Sequence, residues 1–164
     1  MKKNLANWQR RALGLLSIGG GAVGLSSSMA TAVKGGVMYG VNSFSMILGL
    51  VFFLWGMWCG IQMLEGRGQA LLRNSIFWLA QVPVFNTSVF SYSAFCGLQF
   101  QLFIKLQPLD VGFIGSVFGA QFSINFGQPE LPLFVGVNVI ALLIWFWLIS
   151  KYAVAQATPA NLPN

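Results

Sequence analysis

The sequence predicts a membrane protein, mainly α-helical, with three to four transmembrane helices and a small antiparallel β-hairpin or sheet over residues 98–128. That β-element is expected at or outside the membrane surface. Three observations predict this class. Phe44 to Leu64 is a run of 21 residues without a charge, and a bilayer core of about 30 Å takes about 20 helical residues to cross. Charged residues make up 7% of the chain and apolar residues 56%, against roughly 25% charged in soluble domains. That leaves too little polar surface for a water-soluble globule of 164 residues. Finally, apolar and polar residues alternate over 98–107 and again over 121–127, which is the period of a strand with one buried face.

The N-terminal tail, residues 1–11, carries Lys2, Lys3, Arg10 and Arg11 and no acid, which places it on the cytoplasmic side of a bacterial inner membrane. Residues 12–33 follow, uncharged and rich in glycine and serine. One reading is a transmembrane helix on which Gly20, Gly24 and Ser28 share a face and admit a close-packed partner. The other is a secretory signal with a cleavage site at Ala30-Thr31-Ala32. A cleaved leader ahead of a glycine-rich apolar chain is loosely like the pilin-type components of secretion machines, by composition only.

Residues 44–64 form the second span. Gly49, Phe53, Gly56 and Gly60 fall on one stripe, and Gly56 and Gly60 make a GxxxG, suited to packing on the first helix or on a partner subunit. After the polar turn at Glu65 to Gln69, residues 70–95 read as a helix that is kinked at Pro83 or lies in the interface. Leu98, Phe100, Leu102, Ile104 and Leu106 then alternate with Gln99, Gln101, Phe103, Lys105 and Gln107, and Phe122, Ile124 and Phe126 alternate with polar neighbours. Between these runs, Pro108, Gly112, Gly115 and Gly119 suit turns, and Phe90, Tyr92 and Ala94 suit a third strand. Residues 133–150 form the last span, with Asn138 its one strongly polar residue and Trp145 and Trp147 as interfacial anchors. The tail, 153–164, reads as disordered.

The distribution of charge does not fix the number of crossings. Four crossings, favoured because 75–95 is long and apolar enough to cross with a kink at Pro83, put seven basic residues inside and two outside. Three crossings give the same score with Lys105 and Lys151 exchanged.

The net charge of +6 belongs to this topology and to anionic headgroups, so no nucleic-acid partner is expected. The chain has no histidine and three acids, Glu65, Asp110 and Glu130, all in predicted loops or helix ends. A Ser-His-Asp triad is therefore excluded, and no metal, cofactor or catalytic residue is expected. No confident span holds a charged side chain, which disfavours proton-coupled transport. Gln81, Asn86 and Asn138 are the candidate polar residues at membrane depth, suited to hydrogen bonds between helices or to a neutral lining.

The resulting expectation is one integral membrane domain acting as a non-catalytic subunit that packs against other membrane subunits in an inner-membrane assembly. The alternative of another class is a small homo-oligomeric channel or transporter for an uncharged or lipid-like solute.

Overall fold

A computed structural model of the chain describes residues 5–35, 41–106, 108–127 and 132–157. In chain order the elements are α1 (Asn7–Gly35), α2 (Val41–Glu65), α3 (Ala70–Ala80), β1 (Pro83–Asn86), β2 (Phe90–Leu106), β3 (Leu109–Phe126), β4 (Phe134–Asn138) and α4 (Val139–Ala157). Among the described residues, three helices are long and apolar enough to cross a membrane: Asn7–Val33, Ser43–Glu65 and Val139–Gln156.

α1 and α2 form an antiparallel pair held at small residues. A methyl built on Gly14 would sit 3.0 Å from the Gly60 carbonyl oxygen, and one built on Gly21 would sit 2.9 Å from that of Phe53. α2 stops at Gly66, whose φ of +70° ends a helix at no Cβ cost. The Gly66 N–H donates to the Gln62 carbonyl at 3.0 Å. Arg10 of α1 completes this end by donating to the Met63 and Leu64 carbonyls at 3.2 and 2.9 Å. The guanidinium thus meets the negative end of the helix dipole.

α3 packs on the other side of α2. Its Phe77 ring fills the space left by Gly56 and stacks with Phe52 at 5.2 Å, while Phe122 of β3 meets the same Phe52 at 5.3 Å. This aromatic cluster is where the helices and the sheet join. The expected kinked helix over 70–95 is corrected here, because α3 ends at Ala80. Pro83 lacks a donor and cannot extend a helix, and Val84 to Asn86 are paired as a strand instead. The fourth crossing that depended on this stretch has no helix to make it.

β2 and β3 form one long antiparallel hairpin, paired from Phe90↔Phe126 to Leu106↔Leu109. Gly112, Gly115 and Gly119 therefore lie within β3 rather than in turns, and the β-region begins at Pro83 instead of 98. The sheet order is β1-β4-β2-β3, with β1 also paired to β2. Asn86 pairs with Ser91 at the start of β2 and with Phe134 of β4, and Phe134 pairs with Lys105 near the end of β2. Both ends of β2 thus reach the same short β1-β4 ribbon, so the strand doubles back on itself.

The corner is at Gly97, where the register shifts between Gly97 and Leu98. Gly97 has φ +98°, and the extra residue across from it, Phe118, has φ +56°. A β-bulge of this kind sharpens strand bending, and left-handed backbone at an aromatic residue is uncommon. The corner rests on α1. A Cβ on Gly20 would collide with the Gly97 nitrogen and lie 2.7 Å from the Cys96 carbonyl carbon. Gly20 stands near the middle of α1, so the sheet lies beside the helices and not beyond their ends.

The expected last span over 133–150 is shifted. Phe134 to Asn138 are a strand paired on both edges, to β1 and to β2, and the helix occupies Val139–Ala157. α4 starts beside the end of α3, where the Asn138 N–H donates to the Val82 carbonyl at 2.8 Å. Residues 153–157 of the expected disordered tail are helical, and 158–164 lie outside the described residues.

Gly19 and Gly20 are neighbours with opposite surroundings, since nothing lies within 4 Å of a Cβ at Gly19. Gly19→Ala is expected to raise stability by up to about 1 kcal/mol through helix propensity. Gly20→Ala is expected to lower it by about 1–3 kcal/mol through forced separation of α1 and the corner. Thermal unfolding of the two variants in detergent checks the pair.

Candidate functional site

The sheet has an apolar face and a polar face, and the polar one is concave. Along β2 the even-numbered residues, Phe90 through Leu106, include one hydroxyl (Tyr92) and one thiol (Cys96) and are otherwise hydrocarbon. Their neighbours by register are Leu109, Val111, Phe113 and Val117 before the bulge, and Ala120, Phe122, Ile124 and Phe126 after it. The spare residue Phe118 changes the parity of β3, so that its apolar side chains stay on one face through the corner. Without the bulge, a one-residue slip would turn half of them over.

The other face carries Ser91, Ser93, Gln99 and Gln101 on β2, Ser116, Ser123 and Asn125 on β3, and Asn86 and Asn138 on β1 and β4, interspersed with Phe95, Phe103, Ile114 and Phe134. The doubling of β2 brings its two halves together across this concavity: Gln101 Nε2 donates to Ser93 Oγ at 3.3 Å. Asn125 Nδ2 donates to Ser91 and Ser123 Oγ at 3.3 and 2.8 Å. The one ion pair of this face, Lys105–Asp110 at 3.2 Å, sits at the hairpin tip.

Two buried amides reach β2 where its backbone pairing fails, and a third, Asn86, ties β1 to the segment before β4. On its edge facing β1 and β4, β2 is paired at 91–92 and 101–105. In the interval between, Gln81 Oε1 accepts the Cys96 N–H at 2.7 Å and Asn138 Oδ1 accepts the Phe100 N–H at 3.3 Å. Asn138 Oδ1 also lies 3.4 Å from the Ala141 N–H, so it caps α4 at the third helical position. Asn86 Nδ2 donates to the Pro132 carbonyl at 2.7 Å. Asn86 Oδ1 and Asn138 Nδ2 are buried without a partner among the described residues, an uncommon state for interior polar atoms.

The sequence-predicted residues are thus divided among several places. Gln81, Asn86 and Asn138 come together around the sheet, and none lies between two long helices. The glycine stripes do not serve one face. Gly24 and Gly60 lie at the α1–α2 contact, Gly20 meets β2, Gly49 meets Phe122 of β3 and Gly56 meets Phe77 of α3; Ser28 is half-buried on α1. These five glycines are taken up in packing within the chain. Asn74 was not foreseen. Fully buried on α3, it donates to the Cys59 and Ala70 carbonyls at 2.9 and 3.0 Å. Its signal was an amide on the apolar side of a short helix. The serines of the concave face were visible as the alternation with Phe90, Tyr92 and Ala94.

Chemically, the concave face offers neutral donors and acceptors. Both cysteines are free and buried, and Cys96 Sγ lies 3.7 Å from the Ser17 carbonyl oxygen. Cys96 is closed off from solvent, and only an accessible thiolate is a strong nucleophile. Among the described residues no three His, Cys, Asp or Glu side chains gather. No family model matches this sequence, and no curated protein or solved structure does.

Two outcomes follow. Gln81→Leu strands the Cys96 N–H and is expected to cost about 1–3 kcal/mol, with Asn138→Ala costing about 1–2 kcal/mol as a lost cap; chemical unfolding of each variant measures both. Cys96 is expected to resist maleimide at neutral pH until the protein is unfolded, as followed by mass spectrometry.

Proposed function

We propose that this chain is an integral inner-membrane, non-catalytic subunit that packs against other membrane subunits, with its N-terminus cytoplasmic. The observation that carries the reading is the exterior of the helices. α2 exposes Ile47, Val51, Leu54, Trp58 and Ile61 along one stripe, and α4 exposes Leu143, Phe146 and Val154. These surfaces suit lipid or a neighbouring apolar helix. Because the glycines are used internally, a partner would meet these larger side chains.

The positions of charge support the same orientation. Arg10 lies against the end of α2. Arg73 donates to Gln62 and Gln69 at 2.7 and 2.9 Å and lies 4.8 Å over the Trp58 ring. This gathers basic side chains and a tryptophan at one end of the helices, as at a headgroup layer.

The polar concave face favours a second reading, a homo-oligomeric channel or transporter for an uncharged or lipid-like solute. One purification separates the two. The tagged chain is extracted from its native membrane in mild detergent, and its mass and composition are measured. Foreign subunits in fixed ratio support the accessory role. A pure homo-oligomer overturns it and sends the second reading to a liposome flux assay, with Gln101→Leu as the variant expected to slow flux.

A further inference from the structure

We infer that lipid acyl chains cover the open half of the sheet's convex face, making the β-module part of the membrane-embedded body. The inference rests on the membrane reading above and adds to it a β-surface that no helix-based count includes.

The apolar face of the sheet has two halves that meet at the Gly97 corner. The half before the corner lies on the helices: Ala94 and Cys96 are fully buried, and Phe122 is packed into the core. The half beyond it is bare. Phe100, Leu102 and Ile104 on β2 and Val111, Phe113 and Val117 on β3 are 37–75% exposed, and Val135 and Val137 of β4 extend the same surface at 53% and 40%. No polar side chain interrupts it. An antiparallel sheet in water turns its polar side chains outward. This one buries Gln99, Gln101 and Asn138 beside Phe95 on its inner face and shows hydrocarbon alone outside, so its polar groups turn inward as in β-structure in a bilayer.

The occupant follows from shape, charge and place. The surface is convex, so a second copy of it would touch along a narrow line, whereas fluid chains follow its curvature. It offers no charge to a soluble partner: Lys105 and Asp110 lie on the opposite face and are paired with each other. The corner stands against Gly20, near the middle of α1, so the platform runs beside the candidate spans. α4 leaves it at Asn138 and continues the apolar exterior with Leu143 and Phe146. On its outer edge β3 donates from the Ile124 N–H to Ser45 Oγ of α2 at 3.2 Å, but over 109–117 that edge has no strand partner among the described residues, and hydrocarbon does not tolerate bare backbone. That stretch, which leads away from the corner, therefore reaches the headgroup layer, while the convex face meets the chains.

Site-directed spin labelling of the full chain in phosphatidylcholine–phosphatidylglycerol vesicles tests this. Labels are placed singly at Leu102→Cys, Val111→Cys and Phe113→Cys, with Leu54→Cys on α2 as the helix reference and Gln121→Cys on the inner face; the unsubstituted chain measures any labelling of the buried native cysteines. Collision with oxygen, which dissolves in hydrocarbon, is compared with collision with a water-soluble nickel chelate. The inference expects oxygen to dominate several-fold at 102, 111 and 113, as at 54, with the preference reversed at 121. Nickel access at the three platform sites with oxygen access at 54 overturns the inference and leaves the membrane reading intact. Nickel access at 54 as well overturns both. Low collision with both reagents at the platform also overturns it, since protein then covers the face; spectra that sharpen on dilution with unlabelled chain identify that cover as a second copy.

Discussion

The architecture depends on one turn of backbone, the doubling of β2 at Gly97. A strand of 17 residues left straight would carry its far end well away from the helices. Folded, it offers both ends to the four residues of β1 and the five of β4, which are too short to make a stable sheet alone. The corner in turn requires Gly97 in a left-handed conformation, an extra residue at Phe118, and a helix thin enough at Gly20 to lie against bare peptide. Each of these is a local choice, and the curled sheet follows from their coincidence.

A corner interrupts a ladder, and interrupted ladders leave donors without partners. A buried peptide N–H left unpaired costs about 1–3 kcal/mol, at least as much as one formed hydrogen bond contributes. The chain meets this with amides at the ends of neighbouring elements: Gln81 just past α3 and Asn138 just before α4 both reach the unpaired interval of β2. Each amide thereby ties a helix end to the sheet. The arrangement explains why Gln81 and Asn138 are fully buried in so apolar a chain and why both sit at junctions between a helix and the sheet.

Much of this was legible in the sequence, and the limits are physical. Phe44 to Leu64 is apolar on all sides for longer than a soluble core needs, so α2 was readable with near-correct ends. The two-residue period of 98–106 identified β2, because one face of that strand is pure hydrocarbon. The failures lie where a short segment takes its structure from distant partners. Ala70 to Phe95 carries a helical face and then alternating serines, and distant pairing, of 83–86 with β4 and of 90–95 with β3, decides that the second part is strand. Val135 and Val137 fit a strand or a helix start equally until both edges are paired. The glycine stripes suit helix–helix surfaces in the sequence because periodicity reports which residues share a face, not what that face meets. For Gly20 the partner is a strand.

The position of β4 also bears on how the molecule is made. It lies in the sheet between β1 and the second half of β2, yet it leaves the ribosome after both. At common synthesis rates the interval between Asn86 and Phe134, close to 50 residues, takes roughly 2–10 s. β1 is out for the whole of that time and all of β2 for its later part, from Leu106 on, with facing edges bare. A nascent chain in this condition can pair wrongly or take up a strand from another molecule. The helical pair α1–α2, complete much earlier, gives the first half of β2 a surface to settle on, which leaves the gap for β4 as the late vacancy. The C-terminal helix then follows β4 directly, so the segment that completes the sheet and the segment that completes the bundle arrive together.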